Sequence, residues 1–202
     1  PIRLERVEGE FLYEYPRGIA DGSLAARFED QDIRLDLNLD TTDLGLSQKG
    51  FSIATSARLG GADVSRLLGV TVPDGLLDGS SAFDIVFQAG EGVALNISSN
   101  LDGLAIGLPL PFNKAPEQSE SLEIDLRISD VLSIDATYSN NLSLSIAQDA
   151  ENAWRALASI GEVRSELTLD DVDANTTIIS GRLEELDISA WADTQARFRS
   201  GG

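Results

Sequence analysis

Apolar and polar residues alternate with a period of two along most of this chain. In residues 32–40, DIRLDLNLD, four aliphatic side chains fall on one face of an extended strand: Ile33, Leu35, Leu37 and Leu39. Charged and amide side chains fall on the other face. This alternation is typical of an antiparallel strand with one buried and one solvated face.

The same alternation returns in later stretches and predicts an antiparallel sheet of about ten strands, each roughly 4 to 9 residues long. A Gly-rich turn at residues 89–92 predicts a hairpin between two of these strands. Late strands are predicted near residues 163–169 and 176–183. Besides the four residues named above, the predicted apolar face includes Phe51, Ile53, Phe83, Ile85, Phe87, Val93, Leu95, Ile97, Leu122, Ile124, Leu126, Leu142, Leu144 and Ile146.

Three stretches have helical features. Residues 62–68 carry Asp63 near their start and Gly69 just after their end. Residues 149–159, DAENAWRALAS, are rich in helix formers, and residues 189–198 are a third candidate. No strand–helix–strand rhythm is present, which argues against a parallel α/β fold. We therefore predict a mainly β chain with two or three short helices, forming a single segment over residues 1–202.

The predicted apolar face is too large to stay in water. Ten strands of seven residues, spaced ~4.8 Å apart and rising ~3.3 Å per residue, present a face on the order of 1,000 Å². The largest exposed apolar patch of a monomer is usually about 300–600 Å². The periodicity is compatible with three kinds of cover: a second layer of the same sheet, a partner segment, or an apolar ligand in a trough.

The composition removes several classes of function. With 34 acidic and 15 basic residues, the chain has a net charge of −19, which disfavours nucleic acid and anionic membrane surfaces as partners. Cys and His are absent, which excludes disulfides, thiolate metal sites and Ser–His triads. We expect no enzymatic activity, no cofactor and no metal site.

One acidic stretch, Asp171-Val-Asp173-Ala-Asn175, resembles the beginning of a calcium-binding loop. That loop needs Gly at its sixth position and a bidentate Glu at its twelfth. Here those positions are Thr176 and Arg182. An acidic turn between strands is the preferred interpretation, and a calcium- or carbohydrate-binding module is a minor alternative.

An uncharged run with two prolines, LAIGLPLPF at residues 104–112, is unusual in a chain this acidic. It is too short to span a bilayer, and proline cannot donate a backbone hydrogen bond to a sheet. We predict that residues 101–106 finish a strand and that the chain then leaves the sheet. Three apolar residues of the run are predicted to cover an edge of the apolar face: Leu108, Leu110 and Phe112.

The stretch SNLDGLAIGLPLPFNK at residues 99–114 resembles the pattern S-x-L-x-G-L-x-hydrophobic-x-L-P-x-P-x-x-K of YhdP-like proteins in the AsmA-like superfamily. Residues 7–19 and 179–191 resemble weaker opening and closing stretches of the same family. Gly107 and Asn113 depart from the pattern. The matching positions are Ser99, Leu101, Gly103, Leu104, Leu108, Pro109, Pro111 and Lys114.

This resemblance implies a fold and a function. Such proteins are bridges in the periplasm, anchored in the inner membrane, whose strongly curved, U-shaped and β-taco-like sheet guides phospholipid toward the outer membrane through an apolar groove. Adjacent segments of the same longer chain would then be partners, together with the membranes at its two ends. The chain starts at Pro1 and contains no Met, so we expect it to be one excised segment.

A self-contained β-sandwich that serves as a structural or adhesion module is the alternative. It predicts two packed sheets and no lipid.

Overall fold

A computed structural model of the chain describes residues 4–14, 18–28, 31–38, 50–68, 71–90, 92–139, 141–161 and 167–200. Most of these residues lie in strands, as predicted. The strands are β1 (Leu4–Glu14), β2 (Gly18–Phe28), β3 (Gln31–Asn38), β4 (Phe51–Gly60), β5 (Leu77–Ala89), β6 (Val93–Ser99), β7 (Leu104–Ile106), β8 (Leu122–Ile128), β9 (Leu132–Tyr138), β10 (Leu142–Gln148), β11 (Trp154–Gly161) and β12 (Thr176–Arg182). The helices are α1 (Gly61–Leu68) and α2 (Ile188–Ser200).

The twelve strands form one large sheet in which the spatial order follows the chain order. The exception is β7, which pairs with β5, so that β6 pairs directly with β8. Neighbouring strands are antiparallel except for β11 and β12, which are parallel. The sheet is open, with β1 at one edge and β12 at the other. None of the described helices is long and apolar enough to cross a membrane.

Two of the three helix predictions are confirmed. The prediction for residues 62–68 corresponds to α1, where Asp63 Oδ2 accepts a hydrogen bond from the Gly60 N–H (2.9 Å) at the start of the helix. The prediction for residues 189–198 corresponds to α2. Both helices follow a strand, and neither makes the regular crossover that a parallel α/β fold requires.

The helix predicted at residues 149–159 is wrong. Asp149 instead closes a tight turn, because its Oδ1 accepts hydrogen bonds from the N–H groups of Glu151 (3.0 Å) and Ala153 (2.9 Å). The chain then continues as β11 from Trp154. Alanine favours helices and is depleted in strands, so the pairing of this segment with strands on both sides outweighs its helix propensity.

The strand predicted near residues 176–183 is confirmed as β12. Of the strand predicted near residues 163–169, residues 163–166 lie outside the described part of the chain. Its last residues are not in a strand, because Leu169–Asp171 forms a 3₁₀ turn. The predicted turn at residues 89–92 is present, with a hydrogen bond from the Gly90 N–H to the Gly92 carbonyl oxygen (2.9 Å).

Candidate functional site

Cross-strand pairing aligns the apolar residues of successive strands on one face of the sheet, which we call the apolar face. Residues directly opposite each other in paired strands point to the same face. One row of such partners runs from β3 to β11: Leu37, Ile53, Phe87, Leu95, Leu126, Ile134, Ile146 and Ala156. A second row beside it runs from β4 to β11: Phe51, Ala89, Val93, Ile128, Leu132, Gln148 and Trp154.

The remaining predicted residues lie on the same face, on the side of the first row that is away from the second row. A third row runs from β4 to β11: Thr55, Ile85, Ile97, Ile124, Ala136, Leu144 and Ala158. Beyond it, Leu122 and Leu142 both pair with Tyr138. Ile33 and Leu35 share the face of Leu37, and Phe83 shares the face of Ile85, by the period of two. Leu39 lies outside the described residues.

The opposite face is polar. One row of cross-strand partners on it contains only hydroxyl and carboxyl side chains: Ser56, Asp84, Ser98, Glu123, Thr137, Ser143, Ser159 and Ser180. Further along the strands, Asn96 Nδ2 donates to Asp125 Oδ1 (3.0 Å) and Ser145 Oγ donates to Asp135 Oδ1 (2.6 Å). Leu157 and Ala94 are nevertheless buried on this face, and Gln88 Oε1 and Ser180 Oγ are buried without a hydrogen-bond partner among the described residues. The other face carries more large apolar side chains and therefore has the greater need of a cover.

Residues 100–120 leave the sheet between β6 and β8 and form a hairpin, which we call the cap hairpin. Its base is closed by a hydrogen bond from the Glu120 N–H to the Asn100 carbonyl oxygen (2.9 Å). Further along, the Gly103 N–H donates to the Pro116 carbonyl oxygen (3.0 Å). The first arm contains β7, which pairs with the first residues of β5. The cap hairpin is therefore fixed both internally and to the sheet.

Gly79 lies where β5 passes from the main sheet to the cap hairpin. Its φ is +86°, in the region that favours glycine. A Cβ atom at this position would also collide with the carbonyl oxygen of Gly103. The close approach of the two backbones therefore requires glycine here.

The cap hairpin covers part of the apolar face. Leu101 and Leu104 are only 2% and 3% exposed. They pack in one cluster with side chains of β2 to β5, which are Ala26, Phe28, Ile33, Leu35, Ala57, Leu59 and Phe83. Ile85, Ile97, Leu122 and Tyr138 are partly buried against this cluster. The apolar face is thus closed near the cap hairpin by the protein itself.

The motif residues recognised in the sequence build this hairpin. Ser99 Oγ donates to the Ala82 carbonyl oxygen (2.6 Å) and accepts from the Leu101 N–H (2.9 Å), which directs the chain out of β6. Lys114 is 3% exposed, and its Nζ donates to the carbonyl oxygens of Leu104 (2.8 Å) and Ala115 (3.1 Å). The buried ammonium therefore ties the second arm to the first.

The remaining motif residues lie around the tip of the hairpin. Gly103 has a φ of +83°, so it supplies a turn that other residues rarely adopt. Leu108 is half-buried. The carbonyl oxygen of Pro109 accepts from the Phe112 N–H (3.0 Å), which closes a turn that includes Pro111.

The structure corrects two expectations about this run. Leu101 is not in a strand, because its φ is +55°, and β7 pairs with β5 instead of extending β6. Of the residues predicted to cover an edge, Phe112 is buried, but Leu110 is 60% exposed. Leu101 and Leu104 make most of the cover instead, since the chain already leaves β6 at Leu101, before it reaches the prolines.

Helix α2 packs against the tip of the cap hairpin. The rings of Phe112 and Trp191 meet edge to face, with their centroids 5.8 Å apart. Arg197 donates a hydrogen bond to the carbonyl oxygen of Asp74, in the loop before β5. Trp191 is half-buried, and its Nε1 is buried.

Away from the cap hairpin, the described residues leave the apolar face open. Apart from alanines, nine apolar residues of the first two rows, from β5 to β11, are half-buried or exposed. Ile128 is 47% exposed and Trp154 is 42% exposed. We call these nine residues the open strip: Phe87, Val93, Leu95, Leu126, Ile128, Leu132, Ile134, Ile146 and Trp154.

Four residues of the open strip are not among those predicted from the sequence. Ile128, Leu132 and Ile134 continue the alternation that runs through residues 122–138, which is the signal that identifies them. Trp154 was missed because its segment was predicted to be helical.

No family model, curated protein or solved structure matches this chain.

Among the described residues, no group of three or more Asp and Glu side chains is placed to bind a metal ion. In the stretch that resembles a calcium loop, Asp171 Oδ2 instead accepts hydrogen bonds from the N–H (2.8 Å) and Oγ1 (2.9 Å) of Thr168. These bonds lower the pKa of the Asp171 carboxyl group, the backbone bond having the larger effect.

Tyr138 is partly buried against the cluster under the cap hairpin, and its hydroxyl group provides a pH-dependent test of the packing of that cluster. Burial, and secondarily the charge of Glu120, raise the pKa of its hydroxyl group. The folded state therefore favours the neutral hydroxyl. The stability that this preference contributes is complete below the ordinary tyrosine pKa of 10.0 and is lost as the pH rises through the raised pKa. We expect the urea midpoint of the wild type to fall more steeply above about pH 10 than that of Tyr138→Phe. If the urea midpoints of the wild type and of Tyr138→Phe fell in parallel as the pH rises, the burial of this hydroxyl would be contradicted.

Proposed function

We propose that this chain is a segment of a periplasmic bridge that shields phospholipid acyl chains and guides them between an inner and an outer membrane. The observation that carries the proposal is the open strip, an apolar surface that runs across six strands and that the described part of the protein leaves half-exposed. An apolar surface that the described residues leave uncovered is a candidate site for an apolar ligand or partner. The resemblance of residues 99–114 to YhdP-like proteins of the AsmA-like superfamily directs the choice toward phospholipid.

The physical mechanism is passive. Each CH₂ group removed from water contributes about 0.8 kcal/mol of favourable free energy. A wall of aliphatic side chains supplies this stabilisation without directional bonds, so a chain can move along it without being trapped at one position. Curvature of the sheet into a U-shaped groove would increase the shielding, while the acidic exterior keeps the bridge dissolved. No covalent step is required, so we propose no enzymatic activity.

The sheet edges favour a continuation into neighbouring segments of a longer chain. All eleven residues of β1 are exposed, and Phe11 and Tyr13 are 56% and 61% exposed. At the other edge, Ile179 of β12 is 67% exposed. Proteins usually protect long edge strands from pairing with other chains. Since β1 and β12 are exposed at the two edges, we expect further strands to pair with them.

The alternative function, a β-sandwich module, has less support. A sandwich needs two packed sheets, whereas the eleven strands of the main path follow one another in a single sheet. Among the described residues, the cover of its apolar face is one hairpin, and it reaches only part of that face.

A pair of neighbouring substitutions tests the proposed function. We expect Ile134→Asp to remove most of the phospholipid that the protein binds, because it places a charge in the open strip. Ser133→Asp is the matched control, since Ser133 lies on the polar face, opposite Arg127, and is half-buried like Ile134. Each protein is incubated with vesicles of a zwitterionic diacyl phospholipid and separated from them by gel filtration, and its bound lipid is quantified by mass spectrometry.

Circular dichroism must show that both variants are folded. The proposal is rejected if the wild type retains no phospholipid, or if folded Ile134→Asp retains as much as the wild type.

A further inference from the structure

A cleft of about 440 Å³ lies on the polar face of the sheet, on the opposite side from the open strip. It extends over β8, β9, β10 and β11, and three strand spacings of ~4.8 Å give it a length of about 14 Å. Its volume falls in the range of ligand sites, which is about 300–1,000 Å³. We call it the hydroxyl cleft, because six of its lining residues carry a hydroxyl group: Ser121, Thr137, Ser139, Ser143, Ser145 and Ser159.

The fold explains why a cleft forms at this place. Its floor is low because neighbouring strands place small side chains opposite one another, in the pairs Thr137–Ser143 and Ser143–Ser159. Its wall is the connection between β11 and β12, whose 3₁₀ turn contacts β10 and β11. Leu167, just before this turn, lines the cleft. Val172, just after it, is 3% exposed, so this part of the connection is held in place by packing.

The hydrogen-bonding groups of the cleft differ from those on the same face outside it. Outside the cleft, Asn96 Nδ2 donates to Asp125 Oδ1 and Ser56 Oγ donates to Asp84 Oδ1. Within the part of the chain that the structure describes, five side chains of the cleft have no such partner: Ser121, Glu123, Thr137, Ser139 and Ser143. Their hydroxyl and carboxyl groups are therefore available to a molecule in the cleft.

The chemistry of the lining selects the class of ligand. A hydroxyl group both donates and accepts hydrogen bonds, and the carboxylate of Glu123 accepts them. No Lys or Arg is among the described lining residues, so an anion would meet the charge of Glu123 without a counter-charge. Leu157 and Leu167 add an apolar patch. A neutral sugar matches this combination, because its ring has hydroxyl groups around the edge and apolar C–H groups on its faces.

We infer that the hydroxyl cleft binds a neutral saccharide, and that its length suits two linked sugar rings. The inference goes beyond the proposed function and does not depend on it, because the cleft and the open strip lie on opposite faces of the sheet. It adds a second ligand, polar where the first is apolar.

Neutral and anionic disaccharides test the choice of ligand. Saturation-transfer difference NMR is recorded on the wild-type protein with maltose, cellobiose and N,N′-diacetylchitobiose as neutral probes and with sucrose octasulfate as the anionic control. We expect saturation transfer to at least one neutral disaccharide and none to sucrose octasulfate.

Two substitutions of threonine by valine locate the site. Thr137→Val keeps the shape of the side chain, suits a strand and removes one hydroxyl group from the cleft. We expect the dissociation constant of the best-binding disaccharide, measured by NMR titration, to rise by about 2- to 10-fold. Thr177→Val is the matched control and is expected to leave it unchanged, because Thr177 is exposed on the apolar face of β12. Ser143→Leu fills the floor of the cleft and is expected to abolish binding.

Circular dichroism must show that the variants are folded. The inference is overturned if none of the three neutral disaccharides binds to the wild type, or if sucrose octasulfate binds as tightly as they do. It is also overturned if folded Thr137→Val and Ser143→Leu bind as tightly as Thr177→Val. All of these outcomes leave the proposed function standing, because the retention of phospholipid is measured separately.

Discussion

Replacing Leu35 by aspartate is expected to lower the free energy of unfolding by about 4 kcal/mol or more, enough to unfold a large fraction of a marginally stable domain. Leu35 is 7% exposed and belongs to the cluster that contains Leu104 of the cap hairpin. A carboxylate there would lose its water without gaining a partner. Urea denaturation followed by circular dichroism measures the effect.

Ile134→Asp is the matched comparison, because it makes a similar change on the same face but in the open strip. Ile134 is half-buried, so its substituted carboxylate keeps contact with water, and we expect a much smaller loss of stability. The division of the apolar face into a covered and an open part is contradicted if Leu35→Asp is nearly as stable as the wild type while Ile134→Asp unfolds.

The strands and their shared face are predictable from the sequence because both are local properties. A period of two places Phe83, Ile85 and Phe87 on one side of a strand whatever the rest of the chain does. Most strands then join their neighbours through short turns, which align successive apolar residues in rows. The sequence therefore predicts most members of the apolar face from Ile33 to Ile146 without any knowledge of the fold.

The cover of that face is not predictable in the same way, because it depends on contacts between distant parts of the chain. β7 pairs with the start of β5, about 25 residues earlier in the sequence, and this pairing places Leu104 over β3 and β4. The sequence signal is indirect: an uncharged run followed by Lys114, whose ammonium group the fold buries. The wrong helix prediction for the segment that forms β11 has a similar cause. Trp154 and Leu157 have helical spacing, but they lie on opposite faces of the sheet.

Two leucines of the cap hairpin allow its contribution to the fold to be measured. Leu104 is 3% exposed and packs in the covered cluster, whereas Leu110 at the tip is 60% exposed. Leu104→Ala removes buried methyl groups and leaves a cavity, so we expect a loss of about 2–5 kcal/mol in the free energy of unfolding. Leu110→Ala is expected to change it by less than about 0.5 kcal/mol. Urea midpoints at unchanged m-values give both quantities.

The result bears on function as well as on stability, because the packing of the cap hairpin in the covered cluster and its pairing with β5 indicate a fixed wall and not a displaceable lid. A fixed wall must be part of the cooperative unit, so that loosening it destabilises the whole sheet. If Leu104→Ala left the urea midpoint unchanged, the cap hairpin would be energetically separate from the sheet. The covered rows would then be accessible to ligand, and the boundary of the open strip would no longer follow from the fold.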